Sequence, residues 1–202
     1  MVEQQDQKKR KNLPQDQRRE MILDAALVVF ARDGYDAADV DDIALEAEIG
    51  KGTIYRQYPS KRELFEAVVD RGHDQLLRQL EELRSKYTDF EELLRMGLEQ
   101  HVDFFISNPD YWRILKVEQP EYQLKPDEKR VAAHQRFVTH MVGGIERGIA
   151  AGCIRNVDPV LATYSLMSMA AVIVEKHLNS KRNTRKKDIL SVLDIFLRGI
   201  QK

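Results

Sequence analysis

The chain has 202 residues, 43% of them apolar and 32% charged, with 32 Lys and Arg against 33 Asp and Glu; this is the composition of a soluble, helix-rich protein able to bury a core in one large domain or two modest ones. One cysteine, Cys153, excludes an internal disulfide framework and fits a reducing cytoplasm. The longest apolar run, Leu166 to Val174, is broken by Ser168 and falls far short of the ~20 residues that cross a bilayer, and the start MVEQQDQKKRKN lacks the apolar core of a signal peptide, so a cytoplasmic protein without membrane association is expected.

In chain order, residues 1–15 carry Lys8, Lys9, Arg10 and Lys11 without periodicity. A disordered basic arm is expected there, either reaching a minor groove beside a docked helix or serving as a solubilising tail. The stripe Ile22, Ala26, Val29 and Phe30 predicts a helix from Asp16 to about Asp33, stopped by Gly34. Val40, Ile43, Ala44 and Ala47 share one face of a short helix behind the N-cap Asp39. Glu48, Ile49 and Gly50 break that pattern, and a second short helix starts at Lys51 with Ile54 as its inward anchor. Tyr58-Pro59 stops it, because the residue before a proline is pushed out of the α region. Two short helices about a three-residue turn make a helix-turn-helix, the unit that lays its second helix in the DNA major groove.

Ser60 and Glu63 then form a capping box for a long helix to about Lys86, striped by Leu64, Val68, Leu76, Leu80 and Leu83. Asp89 opens another, carrying Leu93, Leu94, Leu98, His101, Val102 and Phe105 to about Ser107. Asn108-Pro109 ends it, a short aromatic segment occupies 110–119, and 120–126 reads as a loop. Helices follow from Asp127 to Ala151, and from Asp158 to about Leu178 with Pro159 at its first position. Past a basic loop at 181–187 the last one runs from Asp188 to Gln201. The final two are too apolar for a single exposed face, which suggests a partner.

Residues 22–68, ILDAALVVFARDGYDAADVDDIALEAEIGKGTIYRQYPSKRELFEAV, resemble the N-terminal domain of the TetR family of bacterial transcriptional regulators. The match lies in Ile-Leu-x-Ala-Ala, Phe-Ala-x-x-Gly-Tyr, Val-x-Asp-Ile-Ala and Lys-Gly-Thr-Ile-Tyr-x-x-Tyr-x-Ser-Lys-x-x-Leu. The remaining two-thirds is similar only in length, helical texture and the phrase IERGIAAGCIRNVDP. The resemblance implies an all-α fold of about nine helices, with a three-helix DNA-binding domain at 16–66 and a helical effector-binding and dimerisation domain at 67–202. It further implies a homodimer through the last two helices, acting on double-stranded DNA at a palindromic site, and a small-molecule effector that relieves repression. Three departures from the pattern stand out: Glu48 where glycine is usual, at a positive-φ turn that costs other residues ~1 kcal/mol; Gly50 for the usual Ser or Thr; and Ala38 for a phosphate-binding Thr.

On this reading Lys51, Gly52, Thr53, Tyr55, Arg56, Gln57, Tyr58 and Lys61 meet DNA, with Arg56 and Gln57 reading bases and Lys61 gripping phosphate at a helix N-terminus. Charge runs against it: residues 1–72 hold 12 basic and 15 acidic residues, a net −3, so binding depends on how the charges are distributed. Phe104, Phe105, Trp112, Leu115, His134, Phe137, His140, Met141, Tyr164 and Met167 form the candidate effector pocket, or else simply core. No metal or cofactor is expected, because His101, His134 and His140 lack ligand spacing, and no catalytic grouping accompanies Cys153. The alternative is a helical adaptor that uses the same fold for protein contacts without sequence-specific DNA binding.

Overall fold

The computed structural model describes residues 14–124, 131–180 and 184–200. Most of the expected basic arm, the end of the 120–126 loop and residues 181–183 lie outside them. Within the described residues the chain is helical: α1 Gln15–Ala37, α2 Val40–Glu46, α3 Lys51–Gln57, α4 Lys61–Lys86, α5 Phe90–Ser107, α6 Pro109–Leu124, α7 Val131–Ala150, α8 Pro159–Leu178 and α9 Arg185–Ile200. None of these helices is long and apolar enough to cross a membrane.

The chain divides into two compact units: residues 1–72 with 110–127, and residues 73–109 with 128–202. One helix, α4, contributes to both. In the first unit, Ile22, Ala26 and Val29 of α1 meet Val40 and Ile43 of α2, Ile54 of α3 and Leu64 and Val68 of α4 in a closed apolar core. Phe30 and Phe65 cross edge to face at 5.0 Å, and Tyr35 adds a second such contact to Phe65 at 5.1 Å. Gly34 takes φ 76° and breaks α1 before a last turn to Ala37, as a glycine stop should. The segment 110–127 joins this unit through Tyr111. Its hydroxyl accepts from Arg71 Nε at 2.8 Å, and its ring lies where a Cβ on Gly72 would come within 2.7 Å.

The second unit buries Leu76, Leu80 and Leu83 of α4, Leu98, Val102 and Phe105 of α5, and Phe137 and Ile145 of α7. Leu166, Ala170, Ile173 and Val174 of α8 join Leu193 and Phe196 of α9 in the same core. Asp89 caps α5 by accepting from Glu92 N at 2.8 Å, and Asp158 caps α8 by accepting from Val160 N and Leu161 N. Two boundaries differ from the expected ones. Helix α6 passes through Pro120 to Leu124 instead of ending in a loop, its first turns fixed by the buried face of Tyr111, Trp112 and Ile114. Helix α9 starts at Arg185, inside the supposed basic loop, with Thr184 Oγ1 donating to Asp188 at 2.7 Å.

Candidate functional sites

The outer surface of α3 is the first candidate. Its entry is a turn at Glu48, held at φ 52°, followed by Gly50 as an N-cap without a side chain. A Cβ at Gly50 or Gly52 would meet nothing within 4 Å, so the backbone at this helix start lies open to close approach. Ile54 is only 1% exposed and pins the helix to the core, which turns Tyr55 (40% exposed), Arg56 and part of Gln57 outward. Arg56 donates to Thr53 Oγ1 at 3.1 Å, so guanidinium and hydroxyl sit side by side. Lys51 reaches back to α2, at 2.8 Å from Asp41 and 3.7 Å from Asp39. The hydrogen bond with Asp41 holds its ammonium above the ordinary lysine range. The Asp41 backbone N–H in turn holds the Asp39 carboxyl below the usual carboxylate range.

Six of the eight sequence-named residues, Lys51, Gly52, Thr53, Tyr55, Arg56 and Gln57, thus share this partly or fully exposed helix. Tyr58 does not. Only 6% of it is exposed, with its hydroxyl buried, because the chain leaving α3 toward Pro59 must fold its ring inward. Lys61 is engaged within its own unit, where its ammonium donates to Asp36 O at 3.1 Å and Ala38 O at 3.0 Å, and lies 4.8 Å from the centre of the Tyr35 ring. It closes the carbonyl end of α1, which leaves a single N–H for a phosphate.

The second candidate is a cavity of about 390 Å³ in the second unit. Along α5 its wall is Phe90, Leu93, Leu94, Gly97, Leu98 and His101, one helical face over three turns. Leu80 and Leu83 of α4, Met141, Gly144 and Ile145 of α7, and Leu166, Met167 and Ala170 of α8 complete the apolar lining. Exposed rim residues Arg84, Asp89, Arg147 and Cys153 mark one end. At that end the Phe90 ring packs on Gly148 so closely that a Cβ would overlap it. His101 lies elsewhere in the lining, with its ring 5.9 Å from that of Phe137. Burial pushes the His101 imidazole down to about 4, so it is neutral at pH 7, and its Nδ1 is buried without a partner. His140 is lowered by burial and then by Arg84 and Arg147. Arg147 is lowered by burial and then by Arg84, so the rim concentrates positive charge.

Of the ten residues proposed for a pocket, only His140, Met141 and Met167 line this one. Phe104 and Phe105 are core, and Phe137 is core too, stacked 5.4 Å from His73. Trp112 and Leu115 belong to the first unit, and Tyr164 is 41% exposed. The His134 side chain lies outside the described residues. The sequence did carry a signal for the lining of this cavity: the 90, 93, 94, 97, 98, 101 spacing, with a glycine inside an otherwise bulky stripe. Among the described residues no group of three or more His, Cys, Asp or Glu is placed to hold a metal ion.

Residues 22–68 match the model for bacterial regulatory proteins of the tetR family, and residues 87–175 match that of a tetracyclin repressor-like C-terminal domain. The chain is 32% identical over 156 residues to the uncharacterized HTH-type transcriptional regulator YfiR of Bacillus subtilis, covering 74% of each. It is 34% identical over 127 residues to the HTH-type transcriptional activator FasR of Mycolicibacterium smegmatis; that match takes in 63% of this chain and 56% of FasR, little more than half the length of that relative. Against the HTH-type transcriptional repressor SCO4008 of Streptomyces coelicolor, identity is 28% over 155 residues, 75% and 77% of the two chains. Its fold is similar to that of the transcriptional regulator FadR of Bacillus subtilis in complex with stearoyl-CoA, with a TM-score of 0.75, 21% identity, and 90% and 99% of the two chains covered.

Proposed function

The chain belongs to the TetR family of bacterial regulatory proteins and is a DNA-binding transcriptional regulator, and from that premise we propose that it is a ligand-responsive repressor working as a homodimer. Two copies of α3 enter successive major grooves of a palindromic operator, and a small molecule in the cavity of the second unit favours a state that lets go. What carries this reading is α3 itself: anchored by Ile54, open at Gly50 and Gly52, and turning Tyr55, Arg56 and Gln57 outward. Arg56 and Gln57 have the fork and amide that read guanine and adenine edges. Lys51, Thr53 and Tyr55 reach phosphates, while Tyr58 supports the helix from below.

Dimerisation through α8 and α9 is supported by what a single copy leaves uncovered. Leu161 and Val172 are 66% and 67% exposed and share one face of α8 with Tyr164 and the small Ser168, while Leu190 and Ile195 are exposed on α9. Apolar faces of this size are ordinarily covered by a partner, and a two-fold pair covers both at once. Helix α4 carries Lys61, which ties down the end of α1, and also Leu80, Leu83 and Arg84 of the cavity wall, so a ligand touches the helix that braces the reading unit. That the stearoyl-CoA complex of FadR has a similar fold favours an elongated apolar effector. Repression is the favoured sense because a bound dimer occludes the duplex and ligand release then needs no further partner.

Selection of bound fragments from genomic DNA with the purified full chain tests the proposal. A palindrome is expected to be enriched, with affinity falling about a thousandfold between low and physiological salt if six or more phosphates are contacted. Absence of an enriched site together with salt-independent binding would favour the adaptor reading instead.

A further inference from the structure

We propose that the cavity of the second unit selects an amphipathic anion, with its charged head at Arg84 and Arg147 and a neutral hydroxyl or keto oxygen at its far end for His101. This rests on the reading of that cavity as the effector site. The two ends are set by α5: Phe90 and His101 stand eleven residues apart on the lined face, roughly 16 Å at the helical rise. Helix α7 repeats the arrangement in the opposite direction, Gly148 lying against Phe90 while Phe137 lies beside His101. The trough is therefore elongated, with one charged end and one neutral polar end.

The length of the trough sets the size of the guest. An extended chain covers about 3.5 Å for each three backbone bonds, so 16 Å takes about fourteen bonds. At the charged end, neither Arg84 nor Arg147 forms an ion pair among the described residues. The rim carboxylate Asp89 is turned to the N-cap of α5, and Glu81 and Glu146 act on this cluster only as neighbours. Arg147, lowered by burial and then by the charge of Arg84, is relieved by one carboxylate or phosphate placed between the two guanidinium groups.

At the other end, His101 is 7% exposed and its Nδ1 meets no partner, although a neutral imidazole has one donor and one acceptor to satisfy. An alkyl terminus leaves that group unmatched, whereas a hydroxyl can both give and take a hydrogen bond. Sites built around a buried polar group discriminate against the analogue that lacks its counterpart.

Calorimetric titration of the full chain with 12-hydroxydodecanoate, dodecanoate, dodecan-1-ol and dodecanoyl-coenzyme A tests both ends. Dodecanoate is expected to bind at least about tenfold more tightly than dodecan-1-ol. The hydroxy acid should gain about a further fivefold over dodecanoate. Replacing Arg84 and Arg147 together by Gln should erase the first margin. His101→Leu should erase the second, and His101→Gln should restore part of it. Whether the thioester or the free acid binds better tells phosphate from carboxylate as the natural head, and either preference supports an anion. An alcohol binding as tightly as the acid overturns the charged end; a hydroxyl preference that is absent, or that survives His101→Leu, overturns the polar end. If none of the four binds and none releases operator DNA, it is the effector-site reading that fails.

Discussion

Gly148→Ala provides a sharp test of the packing around the cavity. Within helix α7 the substitution removes a flexible residue and should by propensity alone stabilise the chain by up to about 1 kcal/mol. The added methyl group, however, would lie 2.6 Å from Phe90 Cζ and 3.0 Å from Cδ2, with Cε2 nearer still, so the ring must move off the cavity wall. Overpacking of this kind costs about 1–3 kcal/mol, which offsets the propensity gain and leaves a net loss of up to about 2 kcal/mol. Gly97→Ala on α5 is the matched control. There the methyl group meets only Leu80 Cδ2 at 3.9 Å, an ordinary contact, and a gain of about 0.5–1 kcal/mol is expected. Urea unfolding at one fixed protein concentration reads both, the concentration being held because the proposed dimer would add a concentration-dependent contribution to stability. Gly148→Ala in a Phe90→Leu background should recover most of the loss, since the two sites share one contact. Equal midpoint shifts for Gly148→Ala and Gly97→Ala would refute the packing argument.

On the DNA side, Tyr55→Ala should weaken binding to all sequences alike, whereas Gln57→Ala should cost about 1–3 kcal/mol at particular base pairs only; fluorescence anisotropy on operator and scrambled duplexes separates the two. Lys61→Met should lower the unfolding midpoint as well as the affinity, because two carbonyls of the first unit lose their donor, and a pure phosphate contact would leave the midpoint unchanged. His101 binds its proton only near pH 4 when folded but near 6.5 when unfolded, so the unfolded chain is the more protonated between those values. Stability due to this group is therefore complete above pH 6.5 and falls as the pH drops, by roughly 3 kcal/mol at pH 4; His101→Leu should flatten that part of the pH profile in thermal unfolding. Leu161→Lys with Val172→Lys should shift sedimentation toward a single copy and abolish operator binding, and an unchanged sedimentation coefficient would place the dimer contact elsewhere.

The reading unit was legible because its signals are local. Asp39 accepts from Asp41 N and Ser60 from Glu63 N, as their positions before apolar stripes require, and Glu48 takes the positive φ expected of that turn. The cavity was not legible, since a stripe such as Phe90, Leu94, Leu98 and His101 reads the same whether it faces a wall or a void. Only the absence of bulk at Gly97 and Gly144 distinguishes the two, and glycines have many uses. Trp112 and Leu115 lie away from this cavity for a different reason. Their segment joins the first unit through a hydrogen bond between Arg71 and Tyr111, forty positions apart, and no periodicity reports a contact of that range. Tyr58 and Lys61 show the limit for sites: chemistry suited to phosphate suits a core ring and a helix-end carbonyl equally well.

The acidity of the reading unit has a physical sense once its pairs are seen. Arg71 takes Glu20 and Asp24, Arg32 takes Asp33, and Lys51 takes Asp41 with Asp39 close by, so much of the excess negative charge is engaged locally. Asp39 and Asp41 nevertheless remain 61% and 65% exposed beside the start of α3, where they repel any phosphate that Lys51 does not cover. On the proposed binding mode Lys51 would exchange one surface ion pair for another on meeting DNA, which is worth little in net free energy. Arg56, which forms no ion pair among the described residues, has its charge available for the groove contact proposed above. Uniform attraction to the backbone is thereby kept low while contacts to base edges keep their full value. Discrimination between operator and bulk DNA is the ratio of those two quantities, so carboxylates that weaken every complex raise the specificity of the right one.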